Sequence, residues 1–177
     1  MFIRPATAAD AALLADLSAV TMCEAFGPPH NPAPVVDAYI QSALTPETLA
    51  TELNDKRSVF FIADQDGSAV GFAKLRRHAP PRRMPLPYRS RGQAVEIQRI
   101  YLLNSQIGQG QGRLLMNYCL DWARQQGYKA VWLGVWERNE RALGFYQRMG
   151  FERFGFHYFQ FGPERQRDYW LVKIIDA

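Results

Sequence analysis

Residues 95–126 constrain this chain more than any other stretch. Val95 to Leu103 reads as a strand, and Arg113 to Gln126 as an amphipathic helix with Leu115, Tyr118, Cys119 and Trp122 on one face. Joining them is Gln106-Ile107-Gly108-Gln109-Gly110-Gln111-Gly112, with glycine at every second position from Gly108. Without β-carbons the backbone can turn its N–H groups outward, and the helix that follows adds the positive end of its dipole. Such a loop is a cradle for an anion of pyrophosphate type. It lacks the Gly-Lys-Ser/Thr ending of an ATP-binding loop.

The flanking segments read as alternating elements. A strand over Met1–Pro5 leads into a helix ending near Phe26, stopped by Gly27-Pro28-Pro29. A second helix is expected over Pro34–Ala43, and a third from the Thr45-Pro46 cap to about Asn54. Ser58–Ala63 and Ala69–Leu75 form a hairpin around Asp64-Gln65-Asp66-Gly67. After the central helix come a strand (Ala130–Val135), a helix (Asn139–Met149) and two aromatic-rich strands (Phe151–Phe161 and Arg167–Ile175). Hairpins at both ends of a strand–helix–strand centre imply a mixed α/β sheet in a single domain, residues 1–177. Arg76–Gly92, with six arginines, four prolines and no acid, reads as an exposed loop.

Charge is uneven along the chain. Residues 1–75 carry 4 Lys/Arg against 9 Asp/Glu, and residues 76–177 carry 17 against 8. The basic half suits a phosphorylated cosubstrate, and the acidic part a cationic small molecule. A nucleic-acid partner is not expected. Cys23 and Cys119 have no pairing or metal-binding spacing, and no apolar run reaches a membrane span, so a cytoplasmic protein without a metal is expected. Cys119 reads as a core residue, while His30 and His78 lie in loops with no partner spacing.

A second constellation follows the central helix: Asn139-Glu140-Arg141-Ala142-Leu143-Gly144-Phe145-Tyr146-Gln147-Arg148-Met149-Gly150-Phe151. Together with the glycine loop, about 30 residues earlier, it resembles the ordered signature of the GNAT acyl-CoA N-acyltransferases. The family pattern Gln/Arg-x-x-Gly-x-Gly/Ala places Ile107 where a polar residue is usual, so the backbone must carry most of the phosphate contact. Glu96-Ile97-Gln98-Arg99-Ile100-Tyr101, Leu133-Gly134-Val135-Trp136-Glu137 and the tail Gly155–Asp168 are similar to the Pai-type spermidine/spermine acetyltransferases.

This resemblance implies a GNAT fold, a mostly antiparallel mixed sheet of about six or seven strands flanked by helices. It implies acetyl-CoA as cosubstrate, held by Tyr101, Leu102, Leu103, Ile107, Gly108, Gln109, Gly110, Gln111, Gly112, Arg113, Asn139 and Tyr146. Tyr146 would act as general acid toward the departing thiolate. Glu96, eleven residues before position 107, would act as base for an amine whose pKa is ordinarily ~10. Direct transfer to a primary amine, such as a polyamine, is the activity implied; peptide N-termini, amino acids and antibiotic amines are alternative acceptors. A non-catalytic acyl-CoA sensor and a homodimer stay open. A dinucleotide or S-adenosylmethionine site after Gly108-x-Gly110-x-Gly112 fits poorly, because that fold opens the chain with such a unit.

Overall fold

The computed structural model describes residues 1–176. The chain runs β1 (Phe2–Pro5), a 3-10 turn (Ala8–Asp10), α1 (Ala11–Phe26), α2 (Ala33–Ala43), α3 (Pro46–Asn54), β2 (Ser58–Gln65), β3 (Ser68–Arg76) and β4 (Ala94–Leu102). It continues through a second 3-10 turn (Asn104–Gln106), α4 (Gln111–Gln125), β5 (Ala130–Trp136), α5 (Glu140–Arg148), β6 (Glu152–Phe161) and β7 (Glu164–Ile174). The seven strands form one sheet in the order β1-β2-β3-β4-β5-β7-β6. β4 and β5 pair in parallel, whereas β1–β2, β5–β7 and β6–β7 are antiparallel. The expected mixed α/β sheet is present, with five α-helices among the described residues.

The local chemistry explains several boundaries. Thr45 Oγ1 accepts the Thr48 N–H at 3.2 Å, and Pro46 starts α3 where its missing N–H costs nothing. Asp66 and Gly67 both take positive φ, 53° and 82°, the two-residue turn that matches the twist of β2 and β3. Gly127 follows α4 at φ 81°.

The chain divides into two compact units. The first comprises Met1–Lys74 and Arg99–Met116; its buried side chains include Leu14, Val36, Leu49, Phe61 and Phe72. Each such side chain contributes roughly 1.5–3 kcal/mol by leaving water. In the same unit Glu52 of α3 meets Arg99 of β4 at 2.5 Å and the buried Lys74 of β3 at 2.9 Å. Burial opposes the Glu52 charge, but Arg99 and Lys74 together hold its carboxyl below the ordinary value.

The second unit comprises Leu75–Gln98 and Asn117–Ala177. The segment between β3 and β4 belongs to it and corrects the expectation of a simple exposed loop. Its arginines are largely exposed, but Met84 is only 2% exposed. Met84 is buried with Ala94, Ala130, Trp132 and Val172, and Tyr88, Phe154 and Trp170 pack against that cluster. Tyr88 also donates its hydroxyl to Asp176 at 3.1 Å. Proline and arginine dominate the composition, yet two apolar side chains pin the segment to the sheet. No helix among the described residues is long and apolar enough to cross a membrane.

Candidate active site

The glycine loop is more sharply divided than its sequence shows. Gly108 and Gly110 adopt φ of 85° and 80° with open space where a β-carbon would point. Gly112 is already inside the first turn of α4, which starts at Gln111 rather than at Arg113. The N–H groups of Arg113 and Leu114 donate to the Gly110 carbonyl. Those of Gly108, Gln109, Gly110, Gln111 and Gly112 meet no acceptor among the described residues. Five successive donors at a helix start form the cradle that an anion requires. Gln109 folds its side chain back onto the Ser105 carbonyl at 2.7 Å, which braces the loop. Ile107 is half-buried and extended, and supplies no polar group.

On β4, Tyr101 packs against Phe26 and Phe72, with ring centroids at 6.4 and 5.8 Å. Gly71 makes room for this part of β4: a β-carbon there would lie 2.4 Å from Leu102 and 2.6 Å from the Tyr101 carbonyl. The Leu103 N–H donates to the Val70 carbonyl at 2.9 Å, so it is not free to bind a ligand as expected. The pairing of β4 with β5 covers only Ala94–Glu96 and Ala130–Trp132. β4 runs on to Leu102 beyond that pairing.

Tyr146 and Asn139 are held by α5. Asn139 caps the helix, its Oδ1 accepting the Ala142 N–H at 3.1 Å. Tyr146 is 8% exposed, edge-on to Phe151 at 5.8 Å and tilted against Phe145 at 5.4 Å. The Phe151 N–H donates to the Tyr146 carbonyl, so the turn after α5 fixes the ring's root.

Glu96 lies in register with Trp132, and by strand alternation Gln98 shares its side of β4. The Gln98 Oε1 is buried without a hydrogen-bond partner. Arg99, which could have neutralised Glu96, is engaged by Glu52. Glu96 is instead joined by His78, whose Nε2 lies 2.8 Å from Oε2. Composition and spacing gave no sign of this contact. Its signal was topological, since β3 neighbours β4 and His78 follows the end of β3.

A second histidine–carboxylate pair occupies the same side of the sheet. Along β5, Trp132, Gly134 and Trp136 alternate in register with Val172, Trp170 and Asp168 of β7, and Asp168 is in register with His157 of β6. His157 stacks on Trp170, 5.3 Å between centroids, and its Nε2 would lie 3.5 Å from a β-carbon at Gly134. His157 and Asp168 approach to 3.8 Å, too long for a hydrogen bond. Burial pushes the Asp168 carboxyl above its ordinary value, with His157 opposing and Glu137 reinforcing the shift. Glu137 itself is held below its ordinary value by hydrogen bonding to Arg167.

The remaining candidates separate cleanly. Cys119 is buried in the core, and burial pushes its thiol up, away from thiolate chemistry. Trp132 and Trp136 are buried, as expected of packing residues. No group of three or more His, Cys, Asp or Glu among the described residues is arranged to hold a metal.

Residues 21–151 match the acetyltransferase (GNAT) family. The chain is 34% identical over 169 residues to an uncharacterized N-acetyltransferase of Mycobacterium bovis, covering 94% of this chain and 98% of that protein. It is 30% identical over 159 residues to an uncharacterized N-acetyltransferase of Lactobacillus delbrueckii subsp. lactis, covering 90% and 88%. The fold is shared with the PaiA N-acetyltransferase of Thermoplasma acidophilum, solved in complex with coenzyme A. There the TM-score is 0.75, over 98% of both chains at 18% identity. With its seven-stranded mixed sheet, its glycine loop opening α4 and its match over residues 21–151, the chain belongs to the GNAT family of N-acetyltransferases.

Proposed function

We propose that the protein transfers the acetyl group of acetyl-CoA directly to a primary amine, with both substrates bound together. The observation that carries the reading is the run of five unsatisfied N–H donors from Gly108 to Gly112. These residues suit the pyrophosphate of CoA, and the thioester supplies the activated acyl carbon. The β4 edge beyond Glu96, which lacks a β5 partner, suits the amides of the pantetheine arm through Tyr101 and Leu102.

Each remaining residue has a defined chemical task. Glu96, through a water molecule, accepts a proton from the acceptor ammonium so that the neutral nitrogen attacks. Tyr146 donates its phenolic proton to the departing CoA sulfur, a thiolate of a thiol with pKa about 8.5 by analogy with cysteine. Asn139 holds α5 so that Tyr146 stays in place.

The acceptor most consistent with the acidic side of the sheet is a polyamine. Glu96 and Asp168 are carboxylates on one side of the sheet, which favours a cationic acceptor. The arginines of the 76–92 segment do not all compete. Arg77 stacks on Trp122 at 5.5 Å, Arg83 lies over Phe156 at 5.4 Å, and Arg89 donates to the Arg82 carbonyl.

Tyr146→Phe tests the mechanism. It should lower kcat on the order of 100-fold or more while leaving acetyl-CoA affinity within about twofold, because only proton delivery is removed. Undiminished kcat would remove Tyr146 from the chemistry.

A further inference from the structure

We infer that His78 is a positioning residue for Glu96, fixing which carboxylate oxygen is left to take the proton of the acceptor. The inference rests on the reading of Glu96 as base and adds a residue to it. The contact is short, 2.8 Å between His78 Nε2 and Glu96 Oε2, with the Glu96 side chain 14% exposed and the His78 side chain 36% exposed. An ionised carboxylate only accepts, so with Glu96 charged the His78 Nε2–H is the donor. With Oε2 occupied, Oε1 is the oxygen available to the acceptor or its bridging water, and among the described residues Glu96 has no other hydrogen-bond partner. A carboxylate without that hold would sample its rotamers, and few of them would present an oxygen to the amine.

The segment around His78 is held on both sides of the histidine. The preceding Arg77 is fixed on the Trp122 ring and to Gln126 at 3.4 Å. Six residues later Met84 is buried in the cluster that includes Trp132. The His78 ring itself lies against Trp132, 5.3 Å between centroids, and Trp132 is the register partner of Glu96. One tryptophan therefore supports the imidazole, the segment that carries it and the strand position opposite the carboxylate. The structure thus assigns a task to the arginine- and proline-rich insertion between β3 and β4: it delivers His78.

The test is a double-mutant cycle on the full-length protein, with acetyl-CoA and whichever amine of a spermidine, aminoglycoside, amino acid and tripeptide panel releases CoA fastest. His78→Ala should lower kcat ~10- to 100-fold with the acetyl-CoA KM unchanged and the melting temperature near that of the parent. His78→Gln, which returns an N–H close to the position of Nε2, should recover most of the loss. In a Glu96→Gln background His78→Ala should have no further effect. Independently of turnover, the ring resonances of His78 should move in Glu96→Gln while those of His30 hold still. An impaired Glu96→Gln alongside an unimpaired His78→Ala would overturn the inference alone, as would multiplicative effects in the double variant or unmoved His78 resonances. A Glu96→Gln enzyme at full rate would instead overturn the reading of Glu96, and the inference with it.

Discussion

Asn139 shows how a single side chain ties stability to the site. Its Oδ1 satisfies the Ala142 N–H, one of the donors that every helix start leaves open, and Tyr146 stands two turns further along the same helix. Asn139→Ala should cost about 1 kcal/mol of stability, read as a lower denaturation midpoint, whereas Asn139→Asp should retain the cap. The capping role of Asn139 could be read from sequence because cap and helix sit in one short segment with fixed spacing. His78 could not be read that way. Its partner is 18 positions away, and the contact arises where the chain leaves β3 beside β4. The same holds for Asp168, which meets His157 only through the register of β6 and β7.

At the scale of elements, strand–loop–helix units were legible because period and punctuation change sharply at their ends. The limits of α4 were less so, since glycine at position 112 looks like loop in sequence but is tolerated in a first helical turn. The loop makes a distinct prediction. Gly110 has φ of 80° with nothing near its missing β-carbon, so Gly110→Ala costs only backbone strain, about 1–2 kcal/mol. That strain should reappear as a loss of acetyl-CoA affinity of roughly 5- to 30-fold by calorimetry, as the loop relaxes away from its cradle shape. Gly67 in the β2–β3 turn has φ of 82° and equally open surroundings. Gly67→Ala should lower stability alone and leave acetyl-CoA affinity unchanged. Equal affinities for the parent and Gly110→Ala would show that this loop does not hold the cosubstrate.

For the whole molecule, the mixed α/β sheet was legible in the sequence, from the hairpins at both ends and the strand–helix–strand in the middle, whereas the placing of β7 between β5 and β6 was not. Long-range ion pairs are invisible there. Arg4 of β1 binds Asp10 at 2.8 Å and Asp64 of β2 at 3.0 Å, joining the first strand, the first turn and the hairpin. Hydrogen bonding to Arg4 holds the Asp10 carboxyl down at about 2, below its ordinary 3.8. A depressed carboxyl stabilises the fold above its unfolded value and ceases to do so as pH falls through the folded one. Stability should therefore drop as pH falls from about 4 toward 2, and Asp10→Asn should flatten that part of a urea-midpoint profile.

The central claim is acetyl transfer to a primary amine, and the most direct measurement is release of free CoA thiol from acetyl-CoA across the amine panel. The proposed function predicts release that requires both acetyl-CoA and an amine, greatest with a polyamine, and that collapses in Tyr146→Phe. Saturable binding of acetyl-CoA with no amine-dependent release for any member of the panel would contradict it.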